Sequence, residues 1–304
     1  MDATKSLSDR PWFDAALAWY FVTVWGSGFL ATKVGLQHAA PFTFLTLRFA
    51  FGLVCLVPIV LLTQPRWPTG RELAHVVVAG LLMHAVHLGG SHYTQYLGVS
   101  AGITALILSA QPLITALIAA RWMGETLAAR QWAGVVVGLA GVALIVWHKV
   151  DVREASVASL VAVTVSLAGV TAGTLYQRVF CPLVDLRSAA AVQFAVTIAA
   201  LAPLAWAFED LRVDWSWALA GSILFLVIGA SLLAVSALHT LMRRGQATRV
   251  TSLLYLTPIF AVALELPMFG VVPSALSLAG IAVTCLGVAL VTVRTLPPAR
   301  GEPS

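Results

Sequence analysis

Charge is what this sequence most lacks. Only 10% of its 304 residues are Asp, Glu, Lys or Arg, against about 25% in soluble domains, which argues against a fold solvated by water on all sides. Cysteine is scarce as well. Cys55, Cys181 and Cys285 stand singly, with no C-x-x-C spacing and no paired His/Cys ligands, so neither a zinc site nor a disulfide framework is expected. No G-x-x-x-x-G-K-[ST] loop occurs, so any energised process must draw on a gradient rather than on nucleotide hydrolysis in this chain. Segments of about ten residues with alternating polarity, the mark of an outer-membrane barrel, are absent too. The net charge of +5 has no basic stripe behind it, and no nucleic-acid partner is implied.

What the chain has is apolar length. Sixty per cent of it is hydrophobic, gathered into runs long enough for a helix to cross about 30 Å of hydrocarbon. Turn and charge signals divide these runs into ten helices, expected at 13–34, 41–62, 73–96, 99–121, 130–148, 157–179, 188–208, 216–240, 249–270 and 273–293. The connections are short, so neighbouring helices run antiparallel. The first eleven residues are polar and the run after them is too long for a signal-peptide core, so the N-terminus is expected to be retained.

Basic residues sort by side. With the N-terminus in the cytoplasm, the cytoplasmic ends hold Lys5, Arg10, Arg66, Arg71, Arg121, Arg130, Arg178, Arg187, Arg243, Arg244, Arg249, Arg294 and Arg300, against Lys149, Arg153 and Arg212 on the other face. The positive-inside bias therefore places both termini in the cytoplasm, and a miscount of one span would destroy the partition.

The chain also repeats itself. A shift of 146 lays Ala133–Leu144 over Ala279–Leu290 with seven of twelve positions identical, and pairs Pro112 with Pro258, Thr94 with Thr240 and Ala101 with Ala247. A shift of 145 pairs Lys33 with Arg178 and Phe49-Ala50 with Phe194-Ala195. The offset holds across several helices, which chance matches between apolar segments do not explain. Two units follow, 1–150 and 151–304. Five helices is an odd number, so the second unit enters the membrane from the opposite side. The expected architecture is an all-α integral membrane protein, ten transmembrane helices in two inverted five-helix repeats, an arrangement used by secondary transporters that alternate around a midplane site.

Specific residues then carry a resemblance. Trp25-Gly26-Ser27-Gly28-Phe29-Leu30 with Lys33, Leu47-Arg48-Phe49, Pro112, Gly124-Glu125 and the Gly134/Gly141 helix, restated by Pro258 and Gly280/Gly287, resemble the ten-helix EamA-type branch of the drug/metabolite transporter superfamily along essentially the whole chain. Within it, the aromatic content and the third helix are most similar to the bacterial YddG-like exporters of aromatic amino acids. The position equivalent to Glu125 in the second half is Val271, with Glu265 deeper in its span. The resemblance implies a multi-pass protein of the bacterial inner membrane that exports small amphipathic metabolites by alternating access; no cofactor is expected, and Gly134-x-x-x-Gly138 invites close helix packing either within the fold or in a dimer, so monomer and homodimer both stay open.

Candidate site residues follow from polarity inside spans. His84, His87, Ser91 and Gln95 fall at spacings of three and four, on one helical face, with His92 and Thr94 on its flanks. They either line a substrate cavity or join helices by hydrogen bonds; a shared metal is the third reading. Trp25, Phe29 and Lys33 form a stripe at spacing four on helix one. Trp19, Trp25, Tyr93, Tyr96, Tyr176 and Tyr255 are candidate stacking surfaces for an aromatic solute, or core packing. Other tryptophans, among them Trp12, Trp67, Trp122, Trp206 and Trp215, lie near span ends as interface anchors. Lys33 and Arg48 are candidate cations of an outer vestibule, able to hold a carboxylate. Glu265 is the carboxylate well inside a span, the coupling candidate if protons drive transport, or else half of a structural pair. Pro112 and Pro258 occupy equivalent positions and are expected hinges. The competing functions are facilitation of other drug-like or nucleotide-related metabolites, a histidine-dependent membrane enzyme, and a receptor or assembly factor.

Overall fold

The computed structural model describes residues 11–122, 126–151, 156–234, 236–237, 240–241 and 256–292, with side chains 11, 145–151 and 292 left aside. Ten helical spans fall within them. They are α1 (Pro11–Gly35), α2 (Pro41–Thr63), α3 (Gly70–Tyr96), α4 (Ala101–Trp122), α5 (Ala129–Asp151), α6 (Val157–Phe180), α7 (Leu186–Phe208), α8 (Trp217–Ala234), α9 (Thr257–Phe269) and α10 (Ala275–Thr292). Seven have both the length and the hydropathy to cross a bilayer; α9, α10 and part of α5 are shorter apolar helices among the described residues.

Helix starts are built from short polar side chains and proline, as orphan amides require. The hydroxyls of Ser100, Ser156 and Ser216 accept from Ile103, Ser159 and Leu219, the Asp185 carboxylate accepts from the Arg187 amide, and Pro41 opens α2. Glu209, just past α7, reaches across to the start of α2, where its carboxylate accepts the Phe42 and Thr43 amides and the Thr43 hydroxyl at 2.7–2.8 Å. That contact ties a helix of one repeat to a helix of the other.

Packing follows a two-fold pattern. Helix α1 packs on α8 and α9, and α6 packs on α3 and α4; α2 meets α7, α4 meets α9, and α5 meets α10. Each pairing maps onto itself or onto another when the halves are exchanged, so the fold is an all-α bundle of two inverted five-helix repeats. Pro58 inside α2 and Pro203 inside α7 restate the 145-residue offset. The α5/α10 seam is the tightest. A Cβ at Gly134 would sit 2.7 Å from the Gly287 carbonyl oxygen, and one at Gly141 would sit 3.0 Å from that of Gly280. Small residues let these backbones touch, and van der Waals contact replaces the hydrophobic drive that lipid removes. At Gly26 of α1 a Cβ would meet the Thr257 carbonyl of α9 at 3.1 Å.

Helices α3 and α8 depart from regular geometry. Leu81–Val86 in α3 and Phe225–Ala234 in α8 are π-helical, so a symmetric pair of helices carries a widened turn at matching depths. Such turns loosen the backbone ladder and recur at functional sites. Helix α4 is also interrupted, by a turn at Ser109–Ala110 just before Pro112.

Candidate functional site

The π-helical segment changes what α3 presents. A regular helix would stack His84, His87, Ser91 and Gln95 on one face, whereas the structure divides them between neighbours. His84 Nε2 lies 3.3 Å from Gln193 Oε1 of α7, and His87 Nδ1 lies 2.9 Å from Ser166 Oγ of α6. Ser166 in turn donates to the His87 carbonyl at 2.7 Å, in the residue just past the π-helical stretch. Ser91 is buried; Gln95 is buried with neither amide atom hydrogen-bonded, as is His92 Nδ1. His92 approaches Thr32 of α1 at 3.5 Å and packs beside Phe44.

Across the bundle axis stand Phe49 and Phe194, edge to face with centroids 5.1 Å apart, and the His84 ring lies within 5.2 Å of Phe49 and 5.8 Å of Phe194. Gln193 completes this cluster, held by His84 and by Gln177 of α6 at 3.4 Å. Beside it, Arg48 of α2 is 9% exposed, and its guanidinium carbon lies 5.7 Å from the Phe49 ring centroid. No carboxylate pairs with Arg48 among the described residues.

Lys33 and Glu265 come together at one end of the bundle. Lys33 Nζ sits 2.8 Å from Glu265 Oε1 and 4.3 Å from the Phe269 ring centroid. The buried Glu265 carboxylate also accepts the Ala101 and Gly102 amides, both at 2.9 Å. Helices α1, α9 and the N-terminus of α4 therefore meet on one carboxylate, where the helix dipole favours negative charge. Lys33, which the sequence had grouped with Arg48 as cations of a vestibule, is thus paired with a carboxylate, whereas Arg48 has none among the described residues.

The aromatic candidates lie at several places. Trp19 (48% exposed) meets Phe260 of α9, and Trp25 (39% exposed) meets Phe21, both on α1. Tyr93 stacks on Phe42 and Tyr96 and lines an apolar groove of about 730 Å³ bounded by α2, α3, α6 and α7. Tyr176 is hydrogen-bonded to His75 at 2.7 Å, near the other end of the bundle. Tyr255 and Glu125 lie outside the described residues. Pro112 stands one residue after Gln111, whose amide donates to Thr174 of α6 at 3.1 Å, and Pro258 stands in the first turn of α9. No group of three His, Cys, Asp or Glu has metal-binding geometry among the described residues.

Gln193, Gln177 and Ser166 escaped the sequence reading, because one polar residue in an apolar helix carries no periodicity. The 145-residue shift would have found the first, since it lays Arg48 over Gln193.

The chain is similar over most of its length to proteins named as transporters. It is 25% identical to the uncharacterized inner membrane transporter YedA of Escherichia coli (strain K12), covering 95% of this chain and 94% of that one. A probable amino-acid metabolite efflux pump of the same organism is 24% identical over 82% of this chain and 85% of its own. The uncharacterized transporter YvbV of Bacillus subtilis (strain 168) is 24% identical over 82% and 81%. One solved crystal structure shares the fold with a TM-score of 0.65 at 20% identity, spanning 93% of this chain and 99% of that chain. The EamA-like transporter family model matches twice, at residues 13–147 and 156–293, and the chain belongs to that family.

Proposed function

We propose that the protein is a secondary exporter of small amphipathic metabolites, with aromatic amino acids as the favoured substrates, working by alternating access between the units 1–150 and 151–304. The observation that carries the reading is the separation of two features. A polar cluster of Arg48, His84, His87 and Gln193 lies deep among apolar helices, while the Lys33–Glu265 contact draws α1, α4 and α9 together at one end. Polar groups at such depth are costly facing lipid and mark solute pathways. Widened turns in α3 and α8, with Pro112 and Pro258 in α4 and α9, supply paired places for the halves to bend.

With both termini in the cytoplasm of a bacterial inner-membrane protein, the Lys33 end faces outward, and the conformation is closed on that side. Substrate enters from the cytoplasm, meets Trp19, Trp25 and the α3 cluster, and leaves when the outer contact parts. Glu265 is the coupling candidate, because protonating its carboxylate removes the charge that holds Lys33. Tyr93, Tyr96, Tyr176 and Tyr255 remain candidates to stack on the solute, with Ser91 and Gln95 as polar contacts. A relative named as an amino-acid metabolite efflux pump supports the substrate class.

The test is counterflow in proteoliposomes loaded with L-tryptophan, L-phenylalanine or L-tyrosine. Saturable exchange of these over aliphatic amino acids is the expected result; flux of drug-like cations or nucleosides with none of the three moving would replace the substrate claim. Flux across a sealed bilayer also separates a transporter from a receptor.

A further inference from the structure

Arg48 is a buried charge left unanswered among the described residues. A guanidinium stays protonated at any physiological pH, and buried charges are ordinarily paired. Glu265 is already committed to Lys33 and two amides. Among the described residues Arg48 has neither a carboxylate partner nor a hydrogen bond, and its guanidinium carbon lies 5.7 Å from the ring centroid of its own neighbour Phe49.

The repeat makes the asymmetry visible. The same shift that lays Arg48 over Gln193 lays His84 over Gly229. Gln193 is satisfied by His84 and Gln177, but the second half offers Arg48 only a glycine where the first offers Gln193 an imidazole. Two inverted copies build a symmetric frame, and the polar decoration on it is one-sided. A solute held there meets a cation from one half and an amide from the other, so it has one orientation.

Building on the transporter reading, we propose that Arg48 is the docking group for the carboxylate of the transported solute, which arrives as the missing counter-ion. One guanidinium matches a planar monoanion through two parallel N–H···O bonds. A phosphate monoester, with charge near −1.5 to −2 at pH 7, would call for more cations than Arg48 alone supplies. The hydrocarbon end of the solute then lies toward Phe49, Phe194 and the His84 ring.

The test is calorimetric titration of the full-length protein in detergent with L-tryptophan, tryptamine, L-leucine, isoamylamine and inorganic phosphate. Arg48→Gln is the main variant, because glutamine already occupies the repeat-related position, and Arg48→Lys is the second. Wild-type protein is expected to bind each acid at least about tenfold more tightly than its decarboxylated partner, the factor expected from a charge-assisted hydrogen bond. Arg48→Gln should erase that difference while leaving the amines unchanged, and Arg48→Lys should restore part of it. Equal binding of acid and amine by the wild type, an equal loss of both in Arg48→Gln, no binding of either acid, or tighter binding of phosphate would each overturn the proposal. Leucine bound as well as tryptophan, with the same dependence on Arg48, would remove the aromatic preference and leave the carboxylate site standing. Tryptophan counterflow that survives in Arg48→Gln with unchanged affinity would leave the transporter and remove the site.

Discussion

Phe49 and Phe194 meet edge to face at 5.1 Å, and they are one position of the repeat seen twice. Two residues that occupy the same place in inverted copies touch each other only on the axis relating those copies. The polar cluster stands at that point, so the candidate site and the two-fold coincide. Midplane sites at a repeat interface let one motion expose the same solute to either face.

Phe194→Ala should test that placement. The ring packs on Phe49 and His84 and lies against Gly52; its loss is expected to cost about 3–5 kcal/mol, as for other buried phenylalanines. Thermal unfolding in detergent checks it. A melting temperature unchanged from wild type would mean that the two α2/α7 rings do not hold the axis together.

The Lys33–Glu265 contact predicts an order of severity. Glu265→Ala strands a lysine and two helix-start amides, and removing one partner of a buried pair costs about 3–5 kcal/mol. Lys33→Ala leaves Glu265 its amides and should cost less, about 1.5–3 kcal/mol. The double variant should fall short of the sum, and strict additivity in the unfolding measurements would deny the coupling. In vesicles, accumulation in the wild type should collapse with the proton gradient, whereas Glu265→Gln should be indifferent to it. Wild-type accumulation that persists without the gradient removes Glu265 as a proton carrier.

Glycines should separate by contact. Gly287→Ala drives a methyl into the Gly138 backbone of α5, overpacking worth about 1–3 kcal/mol or more. Gly221 in α8 has open space around it, so Gly221→Ala should be neutral or stabilise by up to about 1 kcal/mol. Melting temperatures measured side by side decide between tight seam and tolerant surface.

Asp185 opens α7 by accepting the Arg187 amide, and the Arg187 side chain bonded to it holds its carboxyl below the ordinary value of 3.8. A group that ionises more easily when folded stabilises fully above its ordinary value and loses that effect as pH falls through the lower folded one. Asp185→Ala should cost about 0.5–1 kcal/mol at neutral pH, as an exposed cap does. The difference from wild type should shrink below pH 3.8, and a gap that stays constant down to pH 2 would show that the charge contributes nothing.

Alanine at His84 or His87 should lower counterflow several-fold without lowering expression, since each bridges α3 to another helix beside Arg48. Unchanged rates in both would take α3 out of the pathway.

The span count, the two repeats and the polarity of α3 were legible because each is written in local spacing: a helix displays apolar length every 1.5 Å of rise, and a repeat declares itself as a constant offset. Most described helix ends lie within about three residues of the expected ones, but α9 begins at Thr257, behind a turn at Leu256, where a start at 249 was expected. The widened turns at Leu81–Val86 and Phe225–Ala234 were not legible, since no proline or run of polar residues announces them. They split an apparently single face of α3 between α6 and α7.

By itself the sequence determined that this chain is a membrane bundle of two inverted halves, with Arg48, the histidines, Lys33 and Glu265 as its costly interior groups, because hydropathy and periodicity act along the chain. Only the tertiary structure decided who answers whom. Lys33 and Glu265 lie 232 residues apart, and no local rule matches charges across that distance. It took folding to give Glu265 to Lys33 and the α4 amides, to give Gln193 to His84, and to bury Arg48 with no carboxylate partner among the described residues.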